Sequence, residues 1–142
     1  MASKDTFNNI HPVVAIAPIT ITDGTALVSG AIDTAGYESV TFVIQTGTLA
    51  DADATWSVTV KDGDTSTQGN HAAVDDKFLL GTEAAAGFAF GDDGEARKIG
   101  YVGAKRYVSI EIDDVVANTG SAPIAVVAIL AHARSVPTPT LS

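Results

Sequence analysis

The sequence predicts an all-β fold: an antiparallel β-sandwich of about eight short strands, with flexible arms at both ends. Three observations predict it. Apolar and polar residues alternate in several short runs, Gly, Asp and Asn turn signals separate those runs, and almost no stretch repeats apolar residues at the helical spacing. The clearest alternation lies between Asp33 and Asp62. There Val40, Phe42 and Ile44 share one face of a first run, and Trp56, Val58 and Val60 share one face of a second.

The elements follow in order. Residues 1–12 are polar, end at His11-Pro12 and read as a loose N-terminal arm. A strand is expected from Val13 to Thr22, and Pro18, which cannot donate to a ladder, makes it an edge or bulged strand. Asp23-Gly24 turns the chain into a run from Ala26 to Ile32 that Gly30 weakens. Ser39–Thr46 and Thr55–Lys61 are the two clear strands. The polar stretch that follows, to Val74, reads as an exposed loop. A short helix fits only within Asp75–Ala86, where Gly81 limits its length. Phe88 and Phe90 suggest a short strand, and Arg97–Val102 and Arg106–Asp113 two more. Ile124–Leu130 is apolar on both faces, as in a central strand covered on both sides. The tail, 135–142, alternates proline with threonine and reads as an extended arm. Its removal is expected to leave the melting temperature unchanged. Residues 13–134 thus form a single domain, and the pattern suits either a jelly roll or an immunoglobulin-like order of strands.

At 142 residues the chain suits one domain, which buries roughly 68–70% of its unfolded surface without staples. It has no cysteine, so disulfides and thiolate metal sites are excluded. Seventeen acidic residues against eight basic ones give a formal charge of −9, which disfavours nucleic acid as a partner. The first residues lack the apolar core of a signal peptide. The most apolar run, 122–133, is twelve residues long, short of the ~20 that span a bilayer. A soluble protein with no membrane partner is expected.

Chemistry is sparse. His11, His71 and His132 are far apart and form no ligand pair, and the paired aspartates at 51/53, 62/64, 75/76, 92/93 and 113/114 read as turn formers. Glu38, Glu83, Glu95 and Glu111 fall in turn or solvent-facing positions, and no nucleophile elbow or phosphate-binding glycine loop is present. No catalytic residue, cofactor or metal is expected. Trp56 belongs to the core face of its strand. Arg97, Lys98, Lys105 and Arg106 lie within ten positions and could form a local positive patch for an acidic partner surface. With Tyr101 and Tyr107 they are the candidate interface residues, since tyrosine and arginine dominate interface energetics. Trp56, Tyr37, Tyr101 and Tyr107 could alternatively build a sugar platform.

Several stretches carry a resemblance. They are Asp33-Thr34-x-Gly36-Tyr37-Glu38-Ser39, Gly47-Thr48-Leu49-Ala50-Asp51-Ala52, Leu80-Gly81-Thr82-Glu83, and Arg97-Lys98-x-Gly100-Tyr101-Val102-Gly103 followed by Lys105-Arg106-Tyr107. Over roughly residues 26–134 the chain resembles small head structural proteins of tailed bacteriophages and prophages. In size and strand content it is similar to jelly-roll capsid cement (decoration) proteins, of the kind carried by a short-tailed Bordetella phage. The resemblance implies a jelly roll that binds the capsid exterior as a homodimer and bridges capsomers of the major capsid protein. A head–tail joining or tail component and a carbohydrate-binding module on the particle surface are the alternative expectations.

Overall fold

The computed structural model describes residues 4–116 and 118–140. Eleven strands lie among them: β1 (Ile10–Ile21), β2 (Leu27–Val28), β3 (Ile32–Asp33), β4 (Tyr37–Thr46), β5 (Thr55–Gly63), β6 (Ala72–Ala73), β7 (Leu79–Leu80), β8 (Phe88–Ala89), β9 (Ala96–Tyr101), β10 (Tyr107–Val116) and β11 (Ala122–Ala133). All pairings are antiparallel. One sheet runs β1-β11-β4-β9-β7. The other runs β2-β10-β5-β6, with β3 also on β10 and β8 also on β5.

The count exceeds the expected eight because five strands are only two residues long. Taking β2 with β3, and β6 with β8, as one broken strand each leaves eight positions plus the short edge β7. The sheets then read first–eighth–third–sixth and second–seventh–fourth–fifth. That is the strand order of a jelly roll, and it settles a choice the alternation alone left open.

The two clear strands sit in opposite sheets. Val40, Phe42 and Ile44 of β4 and Trp56, Val58 and Val60 of β5 point into one shared core, joined by Ile99, Val108, Ile110, Ile112 and Val126. Trp56 is buried and stacks on Phe88 with ring centroids 5.1 Å apart. β1 behaves as Pro18 requires: it is the outer strand of its sheet, with register shifts between Val14 and Ile16 and between Ile16 and Ile19. Gly81, at φ +85°, separates a 3-10 turn at Asp76–Phe78 from a single-turn helix α1 at Glu83–Ala86. No helix among the described residues is long and apolar enough to cross a membrane.

Three expectations change. The stretch after β5 is not a plain loop, because β6 pairs Lys61 and Asp62 and the His71 ring reaches Ser109 Oγ at 2.9 Å. β11 is central, between β1 and β4, but only one of its faces is covered. Ala122, Ile124, Val126, Ala128 and Leu130 are buried, while Val127 keeps 36% of its surface exposed. The arms are also tied down where they are described. β1 already begins at Ile10, a 3-10 turn at Phe7–Asn9 precedes it, and Thr138 is buried against this segment. Thr138 N–H donates to the Asn8 carbonyl at 3.1 Å, its hydroxyl donates to the Ile10 carbonyl, and His11 Nδ1 meets the Pro139 carbonyl at 3.1 Å. Residues 1–3, 141 and 142, the ends of the expected arms, lie outside the described residues.

Removal of 135–142 should therefore destabilise the fold. Loss of these hydrogen bonds, at about 1 kcal/mol each, corresponds to a fall of roughly 3–9 °C in melting temperature. Thermal denaturation followed by circular dichroism checks it, and an unchanged midpoint would return the tail to the status of a free arm.

Candidate functional site

The six candidate interface residues do not form one patch. β9 runs from one end of the sandwich to the other, so Arg97 and Lys105 lie at opposite ends. Arg97 is half-buried. Its Nη2 pairs with Asp92 at 2.8 Å and Glu95 at 2.9 Å, and its Nη1 donates to the Ala85 carbonyl at 3.3 Å. It is a strut between the β8–β9 turn and α1. Tyr101 is buried, contrary to its expected place at an interface. Its hydroxyl donates to Asp62 at 2.8 Å and accepts the Lys105 N–H at 3.1 Å. Burial, reinforced by Asp62, pushes its ionisation well above the ordinary phenol range. Gly103 makes this possible, since a Cβ there would fall 2.6 Å from the Tyr101 ring. Tyr107 is half-buried on the outer side of β10, with the Arg106 guanidinium carbon 5.1 Å from its ring centre.

Lys105 and Arg106 do come together, and with residues the resemblance singled out for other reasons. The 34–39 loop before and into β4, the 103–106 turn and Arg134 after β11 surround an open cleft of about 310 Å³. Asp33 holds Arg106 by both Nε and Nη2, at 2.9 and 2.8 Å, and accepts the Ala35 N–H at 3.0 Å. The Thr34 hydroxyl donates to the Arg106 carbonyl at 2.7 Å. Lys105 Nζ pairs with Asp64 at 2.6 Å, and Arg134 Nε with Glu38 at 2.8 Å. The Arg106 side-chain hydrogen bonds lower the Asp33 carboxyl below its usual range, and Asp33 and Asp64 in turn raise Arg106 and Lys105.

The outer faces of the two sheets differ in kind. On the six-stranded sheet, Thr55, Ser57, Thr59 and Lys61 of β5 face outward beside Glu111 and Asp113 of β10, and Lys61 is ion-paired with Glu111. On the five-stranded sheet the registers align Val14, Val127, Val43 and Lys98 in one row. Pro12, Ile129, Thr41, Gly100 and Leu80 form the next row. Val14 and Leu80 are both 59% exposed. These two rows hold no acidic residue, and Lys98, which has no ion-pair partner among the described residues, is their one formal charge. Beyond Ala125 the face continues into a shallow groove of about 330 Å³ between Ile19, Gln45 and Pro123.

The sequence reading missed this face. Its signal was the two-sided apolar run at Ile124–Leu130, read as coverage on both sides, when the second face is open. The four glutamates are all engaged structurally. Glu38, Glu95 and Glu111 are ion-paired, and Glu83 accepts the Val60 N–H at 2.7 Å, folded onto β5 rather than facing solvent. Tyr37 stacks on His11 with ring centroids 6.0 Å apart. Among the described residues no group of three or more His, Asp or Glu could hold a metal ion.

No protein-family profile matches the chain, and no curated protein matches it. Among solved structures it is similar to the N-terminal endo-1,4-beta-D-xylanase 10B of Clostridium thermocellum, as CBM22-1–GH10 modules complexed with xylohexaose. The TM-score is 0.45 and the identity 12%, over 94% of this chain. This chain spans 28% of the length of that one. So distant a likeness assigns neither a family nor a ligand.

The Asp33–Arg106 pair has a pH signature. Because the folded carboxyl lies below its ordinary 3.8, its contribution is fully present above that value and is lost as pH falls through the lowered one. The Asp33→Asn variant should melt below the wild type at pH 6, with the gap closing below pH ~4. A gap that stays constant from pH 6 to pH 2 would mean the pair contributes nothing through its charge.

Proposed function

We propose that this chain is a virion structural protein, a capsid cement or decoration protein that binds the outer surface of a phage shell and bridges capsomers. The observation that carries the reading is the uncovered, almost uncharged outer face of the five-stranded sheet. A folded chain with formal charge −9 leaves its most apolar strand open to water along one side, between two neighbours that extend the same surface. Such a patch marks a docking surface.

Its size suits the role. Four strand spacings by about eight residues of β11 give on the order of 500 Å² in projection, against about 800 Å² per partner in a standard interface. One such contact is weak. Hundreds of copies on one lattice, each touching more than one capsomer, hold by avidity. The major capsid protein is the partner in this reading, the particle exterior is the location, and a homodimer on a twofold axis is the simplest arrangement. No catalysis enters the mechanism: the sandwich is a rigid clip whose contribution is binding energy across a seam. The resemblance of the 33–52 and 97–107 stretches to phage head proteins supports the same reading.

A head–tail joining or tail role would use the same face at far lower copy number, about a dozen or fewer per particle. A reconstruction of the encoding phage's head therefore tests the proposal: density for this chain over the outer shell, in hundreds of copies, is expected. Its absence from the shell would overturn the reading. In parallel, Val14→Asp and Val127→Asp should each reduce attachment to heads at least tenfold in a sedimentation assay. Stability should change by no more than roughly 0.5–1 kcal/mol, because both side chains are exposed.

A further inference from the structure

The cleft at the end of the sandwich lies off the two apolar rows of that docking face, and basic side chains outnumber acidic ones in its lining. Lys105, Arg106 and Arg134 line it, against one lining carboxylate, Glu38. Three of the eight basic residues meet there, on a chain with formal charge −9. The acids that hold two of them, Asp33 and Asp64, do not line the cleft. All three cations are ion-paired, Lys105 with Asp64, Arg106 with Asp33 and Arg134 with Glu38, so the cleft offers leftover N–H donors rather than net charge.

The hydrogen bonds leave specific donors over. Asp33 occupies Nε and Nη2 of Arg106, and Nη1 has no protein partner among the described residues. Glu38 takes only Nε of Arg134, so both terminal nitrogens are available. A guanidinium held along one edge presents its remaining N–H groups in a fixed plane, which matches the two oxygens of a carboxylate. Holding it in place beforehand also reduces the ordering cost of binding. The Tyr101 hydroxyl, committed to Asp62 and the Lys105 N–H, keeps the base of the turn rigid. The chain's overall negative charge opposes an approaching anion, and at physiological salt its distant charges are screened beyond about 8 Å.

We propose that this cleft binds a carboxylate presented by an acidic peptide segment of another protein. The site is separate from the sheet face, and its test needs no particle. Acetyl-tetraglutamate amide is titrated into the isolated full chain at physiological salt, with backbone amide shifts as the readout. The expected result is saturable movement at Gly36, Gly103 and Ala104, with none from acetyl-tetraglutamine amide at the same concentration. Arg134→Gln should weaken binding roughly fivefold or more, while Lys98→Gln, on the sheet face, leaves it unchanged. Acetyl-tetraglutamine with a free C-terminus, if it binds as well, supports the site and names a terminal carboxylate as the source. Equal shifts from the tetraglutamine amide would overturn the inference, as would equal losses from Lys98→Gln and Arg134→Gln. Arg134 is largely exposed, so its variant folds; an unchanged melting temperature confirms that.

Discussion

A two-sheet sandwich has two inner faces and two outer ones, and the chain itself can dry only the inner pair. That constraint governs this molecule. β5 and β10 meet it largely by alternation, with Trp56, valine and isoleucine inside and mostly Thr, Ser, Lys, Glu or Asp outside, Tyr107 and the exposed Val115 near the two ends of β10 being the exceptions. β11 does not. Pro123, Ala125, Val127, Ile129 and Ala131 make its outer side as apolar as its inner one, and Val43 and Val14 continue that surface on its neighbours. An apolar face that no part of the described chain covers costs solubility, and a partner surface can offset that cost.

The crossing connections decide what else the fold can present. β4 passes to β5 through residues 47–54, which are pinned to neighbouring turns. Leu49 is buried with its N–H on Asp93 at 2.8 Å, and Asp51 accepts the Thr119 N–H at 2.7 Å and hydroxyl at 2.9 Å. Those backbone and side-chain hydrogen bonds hold the Asp51 carboxyl below its ordinary range. At the opposite end β9 passes to β10 through the 102–106 turn, and the loop into β4 lies beside it. The two stretches are about seventy residues apart in the chain. The jelly-roll order brings them into one cleft, with Arg106 bridging to Asp33.

Much of the architecture was legible in the sequence, for physical reasons that can be named. Period-two alternation marked β4, β5 and β10, Pro18 marked an irregular edge strand, and Gly81 limited the only helical segment. The topology was not legible, because alternation states which face is buried and not which strand lies alongside. The interface candidates misled for a related reason. Sequence proximity grouped Arg97 with Arg106, whereas an extended strand carries neighbours apart at about 3.4 Å per residue. Tyr101 fell on the inner parity of β9 and went to the core. The tail's prolines correctly excluded a strand, but Thr138 still docks through its own backbone and hydroxyl. The open face was visible only as a run with too many apolar positions.

The central claim is that the outer face of the five-stranded sheet is the one that meets a partner. The chain has no cysteine, so single cysteines can report on each face separately. Val14→Cys and Val127→Cys place a thiol on the apolar face, and Ser57→Cys and Asp113→Cys place one on the polar face. Maleimide labelling rates on the particle are compared with rates on the free protein. The account predicts strong protection at 14 and 127 and unchanged reactivity at 57 and 113; protection at 57 and 113 with free reaction at 14 and 127 would contradict it.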